Sequence, residues 1–189
     1  YEDSGILDTP SYGVVNGLAY TKFGGEVLPI EVVTYESKEK FIATGNLGDV
    51  MMESAKIALG HIKSHAKDYK VDLEALDKVC IHINALDAAV PKDGPSAGCA
   101  LVTAIISSVT KRCVDKTYAM TGEISLTGKV LPIGGLKEKS IGAYRSGVKT
   151  IFIPKKNEHD VSDIPKEVRD NINIILVDDY KEIYDVIFK

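Results

Sequence analysis

Hydrophobic and polar residues alternate in short blocks along this chain, and the period of each block predicts its local structure. Val14 to Gly25 mixes small and aromatic residues and reads as an irregular strand ending in a turn at Gly24-Gly25. Glu26 to Thr34 is rich in β-formers, Ser37 to Lys40 reads as a polar hairpin connection, and Phe41 to Thr44 as the returning strand. From Gly48-Asp49 the period lengthens to that of a helix reaching about Ala66, with Asp49 as its cap and Val50, Ala55, Ala58 and Ile62 near one face. Val79 to Asn84 alternates again, placing Ile81 and Ile83 on one face and His82 and Asn84 on the other.

The pattern then changes character. Ala89 to Pro95 is polar and turn-rich, with Pro91, Gly94 and Pro95 restricting the backbone and Gly94 permitting a turn closed to larger residues. Ala97 to Ile106 follows with almost no polar face, which predicts a helix buried on most sides and ending near Lys111-Arg112. Tyr118 to Leu126 and Lys129 to Ile133 read as strands joined by Thr127-Gly128. Gly134-Gly135 turns into a helix from Leu136 to about Ser146, stopped by Gly147. Thr150 to Ile153 is a strand closed by Pro154, Lys155 to Ile164 a charged loop, and Pro165 the start of a short helix. Ile172 to Val177 is a further strand, and Asp178 or Asp179 caps a last helix ending at Phe188. Strands alternating with helices in the second half predict an α/β (α+β mixed) domain: mixed sheets with helices around a buried helix.

Composition adds boundaries. At 189 residues, 44% hydrophobic and 26% charged, the chain is one domain of ordinary make-up, with residues 1–13 as a polar linker and 14–189 as the folded unit. The net charge of −4 mixes both signs, so no basic patch announces nucleic acid. No apolar run approaches membrane-spanning length, nothing at the start resembles a signal peptide, and an opening at Tyr1 suggests a piece of a longer protein. Cys80, Cys99 and Cys113 are odd in number, the first two inside apolar elements, and lack C-x-x-C spacing, which fits buried thiols in a reducing compartment better than disulfides or zinc.

Candidate chemistry gathers at Ser96. A serine before an apolar helix is ordinarily its cap, but a cap does not need the surrounding crowd of Gly and Pro. A hydroxyl there lies among unpaired backbone N–H groups able to stabilise an oxyanion. Gly94-Pro95-Ser96-Ala97-Gly98 also matches the G-x-S-x-G elbow, but its triad would have to use His159, which lies in the charged loop. S-x-x-K occurs four times and is noise in so lysine-rich a chain. Gly122 to Lys129 only faintly resembles a phosphate loop, and His61/His65 reads as a surface pair. For a base, His82 lies on a strand, where a histidine is ordinarily structural. Lys139 is the alternative: it falls near the first turn of its helix, beside Leu136, Gly142 and Ala143, where desolvation and the helix end both disfavour its charge.

Pro91-Lys92-Asp93-Gly94-Pro95-Ser96-Ala97-Gly98 resembles the nucleophile motif of the Lon family of ATP-dependent proteases. Met120 to Leu126 and Val130 to Lys139 resemble its lysine motif, with serine and lysine 43 residues apart. Val15 to Tyr20, Thr44 to Met51, Ile153-Pro154 with Asn157-Glu158, and Asp163-Ile164-Pro165 extend the likeness over nearly the whole chain. The resemblance implies the fold of the Lon proteolytic domain and a Ser–Lys dyad. Ser96 would be the nucleophile and Lys139 the base, with Thr121 orienting the amine and Asp93 shaping the site. His82 and Glu123 would support it, and Gly94, Pro95 and Ala97 would border substrate or oxyanion. No metal or cofactor is implied here; ATP and magnesium would belong to an AAA+ module upstream. Unfolded or degron-bearing proteins would be substrates, and the assembly a hexameric ring in the cytoplasm or mitochondrial matrix, without membrane or DNA binding. The run Asn84 to Ala89 departs from the family's Pro-Glu-Gly turn. The rival readings are a Ser-His-Asp hydrolase using His159 and a catalytically silent Lon-like ring domain.

Overall fold

Two long strands set the frame of the computed structural model, which describes residues 11–86 and 94–189. β1 (Val14–Thr21) and β2 (Gly24–Tyr35) pair antiparallel, Val14 opposite Glu31 and Thr21 opposite Gly24. β3 (Phe41–Thr44) and β4 (Cys80–Ala85) extend the sheet on one side. β5 (Tyr118–Met120), β8 (Thr150–Pro154) and β9 (Asn173–Val177) extend it on the other, in the order β3-β4-β2-β1-β5-β8-β9. The β1–β5, β5–β8 and β8–β9 pairs are parallel, so each return crosses over a face of the sheet. The fold is mixed α/β. β6 (Glu123–Ile124) and β7 (Val130–Leu131) form a separate two-stranded sheet.

Alternation along the strands sends successive side chains to opposite faces, and each face has its own core. Val15, Ile30, Val32, Ile83 and Phe152 pack against α1 (Asp49–Ser64), α3 (Gly98–Thr110) and α6 (Tyr180–Ile187). Leu18, Ala119, Ile151 and Ile153 pack on the other side against α4 (Leu136–Arg145) and α5 (Lys166–Asn171). α3 is buried from Gly98 to Ser108, as its apolar composition requires.

Several expectations are corrected. β3 does not return against β2: the antiparallel place beside β2 is taken by β4, with Ile30 opposite Ala85 and Tyr35 opposite Cys80, and β3 pairs parallel to β4. Six alternating residues of β4 match the long β2 better than the four of β3. α1 is preceded by Gly48 at the cap, so Asp49 is its first residue. Its buried stripe runs Met51, Ala55, Ala58 and Ile62, leaving Val50 exposed. α1 stops at Ser64, and a 3₁₀ turn (Ala66–Tyr69) and α2 (Leu73–Asp77, capped by Asp72) follow. The strand expected from Tyr118 to Leu126 breaks at Thr121-Gly122: Thr121 N still bonds Phe152 O on β8, but Gly122 N turns to the Ser96 carbonyl and leaves the ladder. Residues 155–163 are 3₁₀-helical, not a loop. At the C-terminal end Asp179 and Glu182 form a capping box on α6. Of the expected linker, residues 1–10 lie outside the described residues, and Gly13 is already held by the Ser107 hydroxyl and by Val32.

Candidate active site

Ser96 stands just ahead of α3. The helix begins at Gly98 with Ala97 at the cap position, so Ser96 is not the N-cap and its hydroxyl is left for other partners. The Gly94 backbone before it has φ +126°, a conformation closed to side chains with a Cβ. Two backbone bonds fix the serine turn against the strand that leaves β5. Gly122 N donates to the Ser96 carbonyl at 2.9 Å, and Cys99 N donates to the Gly122 carbonyl at 3.0 Å. The second satisfies one of the helix's first-turn amides.

Lys139 comes from the opposite face of the sheet. It lies in the first turn of α4, where its backbone N donates to Gly135 O, and it is only 3% exposed. Its Nζ donates to Ser96 Oγ at 3.1 Å and to Thr121 Oγ1 at 3.1 Å. Burial holds the ammonium pKa down from 10.5 to about 8, since removal of water penalises the charged form. The positive end of α4 acts in the same direction. Thr121 is itself fixed: it is buried, and its backbone N donates to Phe152 O on β8.

The close approach of α4 to the β1–β2 hairpin rests on two glycines. A Cβ on Gly25 would lie 1.8 Å from Glu138 O and 2.8 Å from Lys139 N; one on Gly142 would lie 2.3 Å from Gly25 O. Helix and strand therefore touch backbone to backbone beside the lysine. Sequence reasoning read Gly24-Gly25 as a turn and missed this role, because a close approach shows only when both partners are placed.

The remaining candidates fall as follows. Pro95 and Ala97 flank Ser96; Pro95 O accepts from Gly98 N and Ala97 O from Leu101 N. Asp93 lies outside the described residues. Glu123 begins β6, two residues after Thr121. His82 is engaged within its own sheet, its ring nitrogens 2.8 Å from the Tyr35 hydroxyl and 3.1 Å from Thr44 Oγ1. His159 has a side chain 76% exposed and lies 3.5 Å from Asp160. His61 is not on the surface: at 1% exposure, its Nδ1 bonds the Leu126 carbonyl and its Nε2 the Tyr69 hydroxyl, and burial lowers its pKa. One partner, Leu126, lies 65 residues farther along the chain, so the i,i+4 pattern with His65 hid the burial. Among the described residues no group of three or more His, Cys, Asp or Glu gathers to hold a metal, and no helix is long and apolar enough to cross a membrane.

A family model of the Lon protease (S16) C-terminal proteolytic domain matches residues 1–189. The chain belongs to this family. The Lon proteases of Mycoplasma mycoides subsp. mycoides, Mycoplasma genitalium and Trichlorobacter lovleyi are 51%, 54% and 50% identical to it over 189, 176 and 177 residues. Those stretches cover 100%, 93% and 94% of this chain but only 24%, 22% and 22% of the relatives. This Lon-family domain thus spans about a quarter of the length of the curated relatives it matches. Within it the serine and lysine motifs, on helices at opposite faces of one sheet, converge where Lys139 meets Ser96 and Thr121.

Proposed function

We propose that this Lon-family domain is a serine endopeptidase working through a Ser96–Lys139 dyad. The observation that carries the reading is the Lys139 amine within 3.1 Å of both hydroxyls, Ser96 and Thr121, while shut away from water. A lysine serves as general base only when neutral. With its pKa held near 8, roughly a tenth of the amine is neutral at pH 7, about half at pH 8 and most of it by about pH 9.

Chemistry then follows from the contacts. Neutral Lys139 accepts the Ser96 proton, and Ser96 Oγ attacks the peptide carbonyl carbon. Backbone N–H groups around Ser96 stabilise the oxyanion as the tetrahedral intermediate forms. The ammonium, steered by Thr121, returns its proton to the leaving amine. Water, deprotonated by the same amine, hydrolyses the acyl-enzyme and restores the serine. The exposed His159 is left out of this cycle. Substrates in this reading are unfolded or degron-bearing proteins, held as extended chains by backbone pairing. In this reading ATP-driven unfolding is the work of a separate module outside this domain, and the ring is a homohexamer.

Fluorogenic peptide cleavage tests the dyad. Ser96→Ala and Lys139→Ala are each expected to lose at least about a hundredfold in kcat while keeping the fold, and wild-type activity to rise with pH through about 8. Full turnover in Lys139→Ala, or its loss in His159→Ala, would exclude the dyad.

A further inference from the structure

The turn that launches α4 has no side-chain cap: Gly135 occupies the cap position, and Gly134 precedes it. Such a pair leaves the entry angle of the helix open unless another segment fixes it. The β1–β2 hairpin bears on the first turn beside Lys139, and the 3₁₀ stretch after β8 holds the chain just ahead of it. Asn157, 3% exposed, accepts from Ile133 N through Oδ1 at 2.9 Å and donates from Nδ2 to Ile133 O at 2.8 Å. The same Nδ2 donates to Asp160 Oδ2 at 2.9 Å. One amide orientation satisfies all three contacts, because the Ile133 N–H only donates while its carbonyl and the Asp160 carboxylate only accept. The amide thus imitates one rung of an antiparallel ladder, six residues before Lys139.

The clasp also shares a reference with the other partner of the amine. Thr121 is docked through its backbone N on Phe152 O of β8, and Asn157 lies five residues farther along the same chain. We infer that Asn157 is a positioning residue for Lys139: locked by Asp160, it pins Ile133 to the end of β8 and so, with the hairpin contact at Gly25, sets α4 at the height where the amine meets Ser96 and Thr121. The inference rests on the dyad reading. Contacts of 3.1 Å leave only a few tenths of an ångström before the hydrogen bonds are lost.

The test uses the intact protein carrying this domain, with Asn157→Ala, Asn157→Asp and Asp160→Ala. Ser96 acylation by a fluorophosphonate is followed between about pH 6 and 10, with kcat and KM on a fluorogenic peptide and the melting temperature alongside. Asn157→Ala is expected to lower kcat about tenfold with KM within about twofold, and to move the acylation midpoint up by about half a unit or more as water reaches the amine. Asn157→Asp should be worse, because its carboxylate faces the Ile133 carbonyl and Asp160. Asp160→Ala removes one bond at the half-buried end and should show a smaller shift in the same direction, so it serves if the Asn157 variants fail to fold. A wild-type midpoint in folded variants, with any loss matched by fewer titratable serines, overturns the inference and leaves the dyad standing. Acylation of Lys139→Ala at the wild-type rate, or an unreactive wild type, instead overturns the dyad and the inference with it.

Discussion

At pH 7 the Lys139 side chain is mostly charged in a place that disfavours charge, and the domain carries that cost. The unfolded lysine titrates near 10.5 and the folded one near 8, so between those values the unfolded chain holds more protons and stability rises with pH. Below pH 8 the penalty is present in full, on the order of 3 kcal/mol. Lys139→Met is therefore expected to stabilise the fold by roughly 1–3 kcal/mol at pH 7, with the gain fading towards pH 10.5. Urea denaturation at both ends of that window measures it, and an unchanged stability at pH 7 would contradict the desolvated site. Ser96 and Lys139 were legible as residues because their motifs are local strings. Asn157 and His61 were not, since a polar side chain in a charged or amphipathic stretch declares its burial only through partners far away in sequence.

At the scale of elements, α4 and the β1–β2 hairpin act as one unit. Their contact is backbone against backbone at Gly25 and Gly142, so it has no side chains to yield. Gly25→Ala should push the first turn of α4 outward, costing about 1–3 kcal/mol or more by overpacking and lowering kcat more than KM. Thermal melting and peptide kinetics on the same sample check it, and a variant with native melting temperature and turnover would mean that the helix is held elsewhere. Most elements followed from period and caps: the apolar α3, the Gly147 stop of α4 and the Asp179–Glu182 box of α6 are each written in a few adjacent residues. What period could not supply was pairing. β3 looked like the return of a hairpin until β4, arriving some forty residues later, took the place beside β2.

Across the whole molecule, the sheet separates the two halves of the proposed site and then lets them meet at its end. The serine turn belongs to the face covered by α1, α3 and α6, and the lysine helix to the face covered by α4 and α5. Thr121-Gly122 bridges them, its first residue bonded to the amine and its second to the serine backbone. Under the proposed division of labour, cleavage of a short peptide by this 189-residue chain should be unaffected by ATP and magnesium, while a stably folded protein is left intact. Electrophoresis of a folded substrate beside a peptide assay, with and without nucleotide, measures both, and ATP-stimulated peptide cleavage would count against the division.

Local sequence determined the chemistry on offer: a serine held among glycines and prolines before an apolar helix, and a lysine in the first turn of another. Periodicity and capping are short-range properties, so they survive in the linear string. Tertiary structure alone decided that the two side chains, 43 residues apart, come within hydrogen-bonding distance, and that the amine loses its water there. Distance and desolvation depend on every element packed around the pair.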